Sequence, residues 1–300
     1  MNNIFEFAEQ YIAARDLSDL YAMRLTLAAD RLATFARSDL LEDCFTEISV
    51  NRFLSSHPPE TSPRTVRSYR SDVLALWNAA ADLDLVPYPV ARRIKRPKCP
   101  ALVIDCFSVE EVRLIVAQAE RCHPYTMSNG INRRQYWPAA IRLAWDTGLR
   151  RGDVWKFRKS WIRPDGSARI VQNKTGQALT VRLHPSTIEA LNAIPFDLAT
   201  KWPSSDANGS RFSKQFKDIC RSAGVFRGTF KWLRRGSGSY VEAVQPGAGG
   251  KHLGHSSPQV FGQHYDARLT SAAAPMPPAL DDGASDRPAS EFNPDEFAFL

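Results

Sequence analysis

Apolar residues recur at intervals of three and four along most of this 300-residue chain, and they alternate at intervals of two in one short region only. The first spacing is typical of amphipathic helices, and the second is typical of half-buried strands. No strand–helix–strand unit repeats along the chain, which argues against a parallel sheet. The spacing therefore predicts a mainly α protein with a small β-sheet.

The first 90 residues show the helical pattern alone. Three stretches carry it over their whole length, residues 5–14, 20–35 and 45–54. The clearest helix begins at Ser62 and Pro63, a favoured N-cap followed by a favoured first helical residue. Arg64 and Arg67 lie off the apolar stripe of that helix. They form either a solvated face or a face that contacts phosphates. The pattern of this helix alone favours a solvated face.

A basic segment bounded by Pro89 and Pro100 divides the chain. Its five bases are Arg92, Arg93, Lys95, Arg96 and Lys98. Proline at both ends and like charges in between predict an extended linker rather than a helix. We therefore expect a helical domain over residues 1–91, a basic linker over 92–100 and a second domain over 101–268.

The second domain is predicted to mix helices with one hairpin. Ser108 and Glu111 have the spacing of a capping box, and Gly148 ends a predicted helix over residues 137–145. Residues 168–174 and 179–183 alternate as two strands, and the pattern is helical again from residue 186.

The glycine-rich stretch 246–251 is not a phosphate-binding loop of the Walker type. That motif would need Gly at the position of Gln245 and Ser or Thr at the position of His252. The stretch predicts an irregular turn instead.

Charge is distributed unevenly along the chain. The total is +7, but residues 266–300 hold seven acids and two bases, a net charge of −5, and residues 1–265 carry +12. A basic body suggests a polyanion-binding protein, although a functionally neutral basic surface would have the same composition. Residues 269–300 are rich in proline and acids, which predicts disorder, and their last residues could dock as a small apolar contact.

Composition excludes several classes of protein. No apolar run approaches the ~20 residues of a membrane-spanning helix. Glu6 and Glu9 interrupt the apolar N-terminus, so we expect no signal peptide and no membrane contact. The five cysteines are scattered without a CxxC pair, which argues against a disulfide framework or a zinc site and predicts a cytoplasmic protein.

Four segments of the second domain stand out together. They are TGLRRGDV at 147–154, NKTG at 173–176, KWLRR at 231–235 and LGHSSPQVFGQHYDAR at 253–268. In this order they resemble the motifs of the tyrosine recombinases, also called phage integrases. The helical first domain and the basic linker are also similar to the core-binding half of that family. The resemblance implies a helical core-binding domain followed by a mixed α+β catalytic domain.

The residue types fit transesterification of a DNA phosphodiester. Such a step needs a nucleophile, positive charge at the non-bridging oxygens and a proton for the leaving 5′-oxygen. The resemblance implies that Tyr265 is the nucleophile and that Arg150 and Arg234 bind the phosphate, which their planar guanidinium groups can do in a bidentate manner. It also implies that Lys174 is the general acid and that His255 contacts the phosphate or assists proton transfer. This chemistry requires no metal and no cofactor.

Two positions depart from the family pattern. The family's HxLR motif usually starts with His, but Lys231 stands there, as in the related type IB topoisomerases. Lysine can still donate to a phosphate oxygen, so Lys231 is kept in the candidate catalytic set. Tyr265 follows His255 by ten residues, slightly more than is common in the family. Asp153 occupies the family's acidic position after Arg150, where a structural or arginine-orienting role is expected.

Each candidate also has a purely structural interpretation. Arg150 could satisfy helix carbonyls, Lys174 could be an ordinary turn residue, and Tyr265 could be a packing residue. The rival Tyr240 precedes the LGH motif and matches the family poorly. The histidines 252, 255 and 264 could suggest a metal site, but no Cys or paired acid lies nearby.

The sequence thus predicts a site-specific recombinase that acts on double-stranded DNA through a 3′-phosphotyrosine intermediate. Arg64, Arg67 and the five bases of the linker are predicted to contact DNA, and the resemblance implies assembly into a tetramer on DNA. The alternatives are a type IB topoisomerase-like activity and a catalytically degenerate DNA-binding protein.

Overall fold

A computed structural model describes residues 2–100, 104–124, 126, 132–195, 197–198, 210–255, 260–262 and 265–266. The chain divides into two compact units, Met1–Ala101 and Leu102–Leu300. Each unit encloses its own apolar core. Within the described part of the chain, no helix is long and apolar enough to cross a membrane. The predicted acidic tail, residues 269–300, lies outside the described residues.

The described part of the first unit consists of helices and one short 3-10 turn. The elements are α1 (Ile4–Ala13), α2 (Asp19–Ala36), α3 (Leu41–Cys44), α4 (Glu47–Ser55), α5 (Pro63–Ala81) and the turn Ala91–Arg93. The predicted start of α5 is confirmed, because the Ser62 hydroxyl accepts a hydrogen bond from the Thr65 amide at 3.1 Å. The helix predicted from residue 45 begins later, since the Thr46 hydroxyl accepts from the Ser49 amide at 3.0 Å and caps α4.

The start of the basic segment is attached to the first unit. Ile94 is 2% exposed and packs in the core of that unit. The Arg70 guanidinium donates to the Ala91 carbonyl at 2.9 Å, and the Asn51 amide bonds the backbone of Arg93 and Lys95. Residues 91–95 thus differ from the extended linker that charge and proline predict, because Ile94 supplies an apolar anchor.

The second unit contains seven described helices, a 3-10 turn and one two-stranded antiparallel sheet. The elements are α6 (Val109–Arg121), α7 (Arg133–Thr147), α8 (Arg151–Val154), the turn Lys159–Trp161, β1 (Ser167–Val171), β2 (Ala178–Arg182), α9 (Pro185–Asn192), α10 (Ser210–Ser222), α11 (Phe230–Val244) and α12 (Ala248–His252). The capping box of Ser108 and Glu111 and the end of α7 at Gly148 are confirmed. The predicted fold class, mainly α with a small β-sheet, is confirmed as well.

One local prediction is wrong. The glycine-rich stretch 246–251 does not form an irregular turn, because α12 begins within it. A Cβ on Gly249 would lie 2.7 Å from the Gly238 carbonyl, so glycine lets α12 pack directly on the backbone of α11. The Glu242 carboxylate accepts hydrogen bonds from the amides of Gly247 at 2.8 Å and Gly249 at 2.7 Å. These contacts offset the low helix propensity of glycine.

Candidate active site

Arg150 lies where α7 reverses into α8. Gly148 ends α7 with a φ of +59°, which glycine adopts without strain. A side chain at this position would overlap Leu253. The chain therefore turns tightly, and Arg150 becomes the N-cap of α8. Its Nη1 donates to Gln172 Oε1 at 2.8 Å, which holds the guanidinium beside the root of the β1–β2 hairpin.

Arg234 lies in the second turn of α11 and is only 2% exposed. Its Nη1 donates to the Gly148 carbonyl and its Nη2 donates to the Leu253 carbonyl at 2.9 Å. Nη2 also lies 3.0 Å from His255 Nε2. Burial, reinforced by the positive charge of Arg150, lowers the pKa of Arg234 to about 10. Arg234 therefore remains a fixed cation at neutral pH.

Tyr265 lies against this cluster. Its ring centroid is 4.6 Å from that of His255, 5.0 Å from Arg234 Cζ and 5.3 Å from Lys231 Nζ. Burial alone would raise the pKa of the phenol, but the positive charges of Arg234 and Lys231 lower it more. The pKa of Tyr265 therefore lies below the ordinary value of 10.0, as an activated phenol nucleophile requires.

Backbone contacts hold Tyr265 in this place. Its amide donates to the Phe261 carbonyl at 2.8 Å, and its carbonyl accepts from the Ser239 hydroxyl of α11 at 3.0 Å. The Asp266 amide also donates to the Phe261 carbonyl, at 3.1 Å. Phe261 is 5% exposed, so Tyr265 is attached to a buried anchor on the same chain.

Lys231 and Lys174 supply further positive charge. Lys231 lies in the first turn of α11, where burial lowers the pKa of its amine and the charges of Arg234 and Lys174 lower it further. Lys174 is exposed at the tip of the β1–β2 hairpin. The Asp153 carboxylate accepts from the Asn173 amide at 2.8 Å, so Asp153 fixes the hairpin next to the Lys174 side chain.

The structure thus brings together five of the six predicted catalytic residues, Arg150, Lys231, Arg234, His255 and Tyr265. Lys174 lies on the hairpin beside them, close enough for its charge to affect Lys231. The rival Tyr240 is 56% exposed and lines a separate cavity of about 470 Å³ with Trp145 and His184.

Two residues near this cluster, the buried Gln172 and the half-buried His252, were not in the predicted catalytic set. Gln172 bridges Arg150 to the Leu253 carbonyl. His252 Nε2 lies 2.7 Å from the Ser237 hydroxyl, and burial together with Arg234 lowers the pKa of His252 to about 4. His252 is therefore a neutral packing residue. His264 lies outside the described residues, among which no group of three or more His, Cys, Asp or Glu could hold a metal ion.

The predicted DNA-binding residues of the first unit are all exposed. Arg64 and Arg67 lie in the first two turns of α5, and the five bases of the basic segment are exposed as well. Burial lowers the pKa of Arg70, and the positive charges of Arg96 and Arg67 add to this effect. The basic segment and the start of α5 therefore form one positively charged surface.

Comparison of the sequence with models of known families and with curated proteins finds no match. Solved structures do match. A lambda integrase dimer bound to a COC′ core site aligns with 90% of this chain and 97% of its own, at 20% identity and a TM-score of 0.70. A lambda integrase tetramer bound to a Holliday junction aligns with 86% of this chain and 78% of its own, at 19% identity and a TM-score of 0.66.

A third match is the XerH site-specific recombinase bound to palindromic difH substrate. It aligns with 87% of this chain and 79% of its own, at 16% identity and a TM-score of 0.64. These alignments extend over both units of the chain, and at such low identity they establish the fold. This chain has the fold of the tyrosine recombinases.

Proposed function

We propose that this protein is a site-specific DNA recombinase that cleaves and rejoins DNA through a covalent 3′-phosphotyrosine intermediate. The observation that carries this proposal is the position of Tyr265 against His255, Arg234 and Lys231, because the two cations lower the pKa of its phenol despite burial. The fold is one that recombinases bound to DNA also have.

Cleavage starts when Tyr265 Oη attacks the scissile phosphorus and forms a new P–O bond. The phenolic proton passes to the imidazole of His255, whose ring lies beside the phenol. The P–O5′ bond breaks, and the leaving 5′-oxygen takes a proton from Lys174. Arg150 and Arg234 bind the non-bridging oxygens, whose negative charge increases in the transition state.

Rejoining reverses these bonds. A 5′-hydroxyl gives its proton to Lys174 and attacks the phosphotyrosine, the P–O bond to Tyr265 breaks, and the phenol regains its proton from His255. The energy of the phosphodiester is retained in the phosphotyrosine, so no nucleotide cofactor is consumed. Exchange of two pairs of strands needs four active sites, so we propose that the protein assembles as a tetramer on double-stranded DNA. It would act on DNA in the cytoplasm.

DNA binding is assigned to the positively charged surface of the first unit. The basic side chains of residues 92–98, together with Arg64 and Arg67, would neutralise phosphates of the DNA backbone. Such contacts supply affinity that does not depend on the DNA sequence. Recognition of one particular site also needs contacts to base edges, because phosphate contacts fix the register of a protein on the duplex without reading its sequence.

The test is covalent trapping on DNA. A duplex that the protein enriches from a random-sequence pool is nicked near the cleavage site, so that the released fragment diffuses away and the adduct accumulates. We expect a protein–DNA adduct with the wild type and with Tyr240→Phe, and none with Tyr265→Phe. An adduct that persists in Tyr265→Phe contradicts the assignment of the nucleophile.

Two other activities give different outcomes in the same system. Lys231, which stands where type IB topoisomerases also have lysine, motivates a relaxation activity. Such an activity would relax a supercoiled plasmid that carries a single site, whereas a recombinase needs two sites to form recombinant product. A protein that binds the enriched duplex without any adduct would be a DNA-binding protein alone.

A further inference from the structure

Gln172 is a buried amide at the root of the β1–β2 hairpin. It is 0% exposed. Its backbone amide donates to the Gln177 carbonyl at 2.9 Å, and its carbonyl accepts from the Gly176 amide at 2.8 Å. Its backbone therefore closes the turn that carries Lys174, and its side chain points into the unit rather than to solvent.

Both ends of the Gln172 amide are used. Oε1 accepts from Arg150 Nη1 at 2.8 Å and from the Thr175 hydroxyl at 3.2 Å, and Nε2 donates to the Leu253 carbonyl at 2.9 Å. A guanidinium can only donate and a carbonyl can only accept. Arg150 and the Leu253 carbonyl therefore fix the orientation of the amide, and neither a hydrophobic side chain nor an ionised carboxylate can satisfy both.

These bonds close a ring that contains both arginines. The Leu253 carbonyl that accepts from Gln172 also accepts from Arg234 Nη2 at 2.9 Å. Arg234 Nη1 in turn donates to the carbonyl of Gly148, two residues before Arg150. Arg150 and Arg234 are therefore oriented relative to each other through a single amide and two backbone carbonyls.

Gly254 provides the space for this amide. Its φ is +64°, and a Cβ at this position would lie 2.8 Å from Gln172 Nε2. Leu253 and Gly254 belong to the turn that leads to His255. The amide therefore connects three of the four sequence motifs, which lie at the end of α7, on the hairpin and after α12.

We propose that Gln172 is a positioning residue that fixes the geometry of Arg150 and Arg234 for the attack of Tyr265 on DNA. The Gln172 side chain bonds Arg150, the Thr175 hydroxyl and the Leu253 carbonyl rather than Tyr265, so it acts through the two arginines. This inference rests on the proposed recombinase function. Its expected signature is a loss of cleavage rate without a loss of DNA affinity.

The experiment measures single-turnover adduct formation on the enriched, nicked duplex, together with DNA affinity and thermal unfolding. Gln172→Leu keeps the approximate volume and removes all three side-chain hydrogen bonds. A misplacement of about 1 Å at a reacting centre can cost on the order of 10² in rate, so we expect a loss of that order at saturating DNA. The dissociation constant for DNA should change by less than about threefold, because the exposed cations of the first unit, which supply the backbone contacts, are unchanged. The control Gln177→Leu makes the same substitution at an exposed position of the same hairpin and should leave the rate unchanged.

Two further variants separate positioning from a general loss of structure. Gln172→Glu keeps an acceptor for Arg150 but places a second oxygen against the Leu253 carbonyl, so its rate should also fall. Gly254→Ala should slow cleavage as well, because its Cβ would lie 2.8 Å from Gln172 Nε2 and displace the amide from the Leu253 carbonyl.

The outcomes distinguish the two proposals. A wild type that forms no Tyr265-dependent adduct contradicts the recombinase function, and the positioning role is then rejected with it. A wild type that forms the adduct while Gln172→Leu cleaves at the same rate contradicts the positioning role alone. If Gln172→Leu fails to fold, Gln172→Glu decides the question, and cleavage at the wild-type rate by that variant overturns the proposal.

Discussion

The positive charges of the candidate active site and those of the basic segment at residues 92–98 are organised in opposite ways. In the active site the side chains are fixed, since Arg234 is 2% exposed and both its Nη1 and its Nη2 bond backbone carbonyls. In the basic segment Asn51 and Arg70 hold the backbone of residues 91–95, whereas the charged side chains are exposed.

This difference suits two different tasks. Fixed side chains present charge at one point, as is needed to stabilise the transition state at a single phosphate. Exposed side chains on a fixed backbone can follow many phosphates, and they contribute affinity through release of counterions. Arg92, Arg96 and Lys98 make no ion pair with any described residue, so their charge is available to a polyanion.

Arg234→Lys is predicted to have the largest effect in this comparison. Lysine carries the same charge but cannot reproduce the two planar contacts of the guanidinium. Removal of one fixed donor from a transition-state site costs on the order of 10²–10³ in rate. We therefore expect adduct formation to slow by that factor, with DNA affinity and its salt dependence almost unchanged. Single-turnover trapping at two salt concentrations measures both quantities.

The matched control for this variant is Arg235→Lys. Arg235 is the next residue of α11 and is 7% exposed, but its Nη1 donates to the Asp105 carbonyl at 3.1 Å instead of to the Gly148 and Leu253 carbonyls. A rate loss in Arg235→Lys as large as in Arg234→Lys would show that burial of a guanidinium, and not its position, is what matters.

Lys174 is the exception within the candidate active site. Like the cations of the basic segment, it has an exposed side chain on a backbone that is held in place. The root of its hairpin is fixed by Gln172 and Asp153, but its side chain is exposed. A proton donor must move toward a leaving group, which a free side chain on a fixed hairpin allows. Its role can therefore be separated from that of the buried cations by changing the leaving group.

Lys174→Ala is predicted to slow cleavage by about 10², the lower range for loss of a general acid. Replacement of the bridging 5′-oxygen by sulfur should restore most of the rate, since a thiolate leaves without protonation near pH 8. Lys156→Ala is the control, because Lys156 is an exposed base whose amine bonds Asn173 of the same hairpin at 2.7 Å. Failure of the sulfur substrate to restore the rate would assign Lys174 to phosphate binding instead.

Sequence patterns predicted the local elements and the motif residues better than the contacts between them. Amphipathic spacing and caps located α5 and α6, because these signals lie within one helix. The spacing failed for α12, where packing of Gly249 on Gly238 outweighs low helix propensity, and at Ile94, where one buried side chain anchors a charged segment.

The same limit applies to the candidate site. Family motifs identified Arg150, Arg234 and Tyr265, which the structure brings together. Gln172 belongs to no catalytic motif, and the carbonyl that it binds lies 81 residues away in the chain. No spacing rule connects residues at that separation, so the contact became visible only in the folded unit.

The basic segment should show the smallest effect per residue and a different kind of effect. Arg92→Ala and Arg96→Ala each remove one exposed charge from the positively charged surface of the first unit. Each phosphate contact that is lost should reduce the slope of log affinity against log salt by about 1, and weaken binding to all DNA sequences similarly. The cleavage rate at saturating DNA should stay within about twofold, because these side chains act in binding rather than in the transition state.

Arg15→Ala, which removes an exposed charge at the end of α1, is the control and should leave the slope unchanged. If all three variants keep the wild-type slope, the basic segment does not contact DNA. Its charges would then serve solubility alone, in contrast to the charges of the candidate active site.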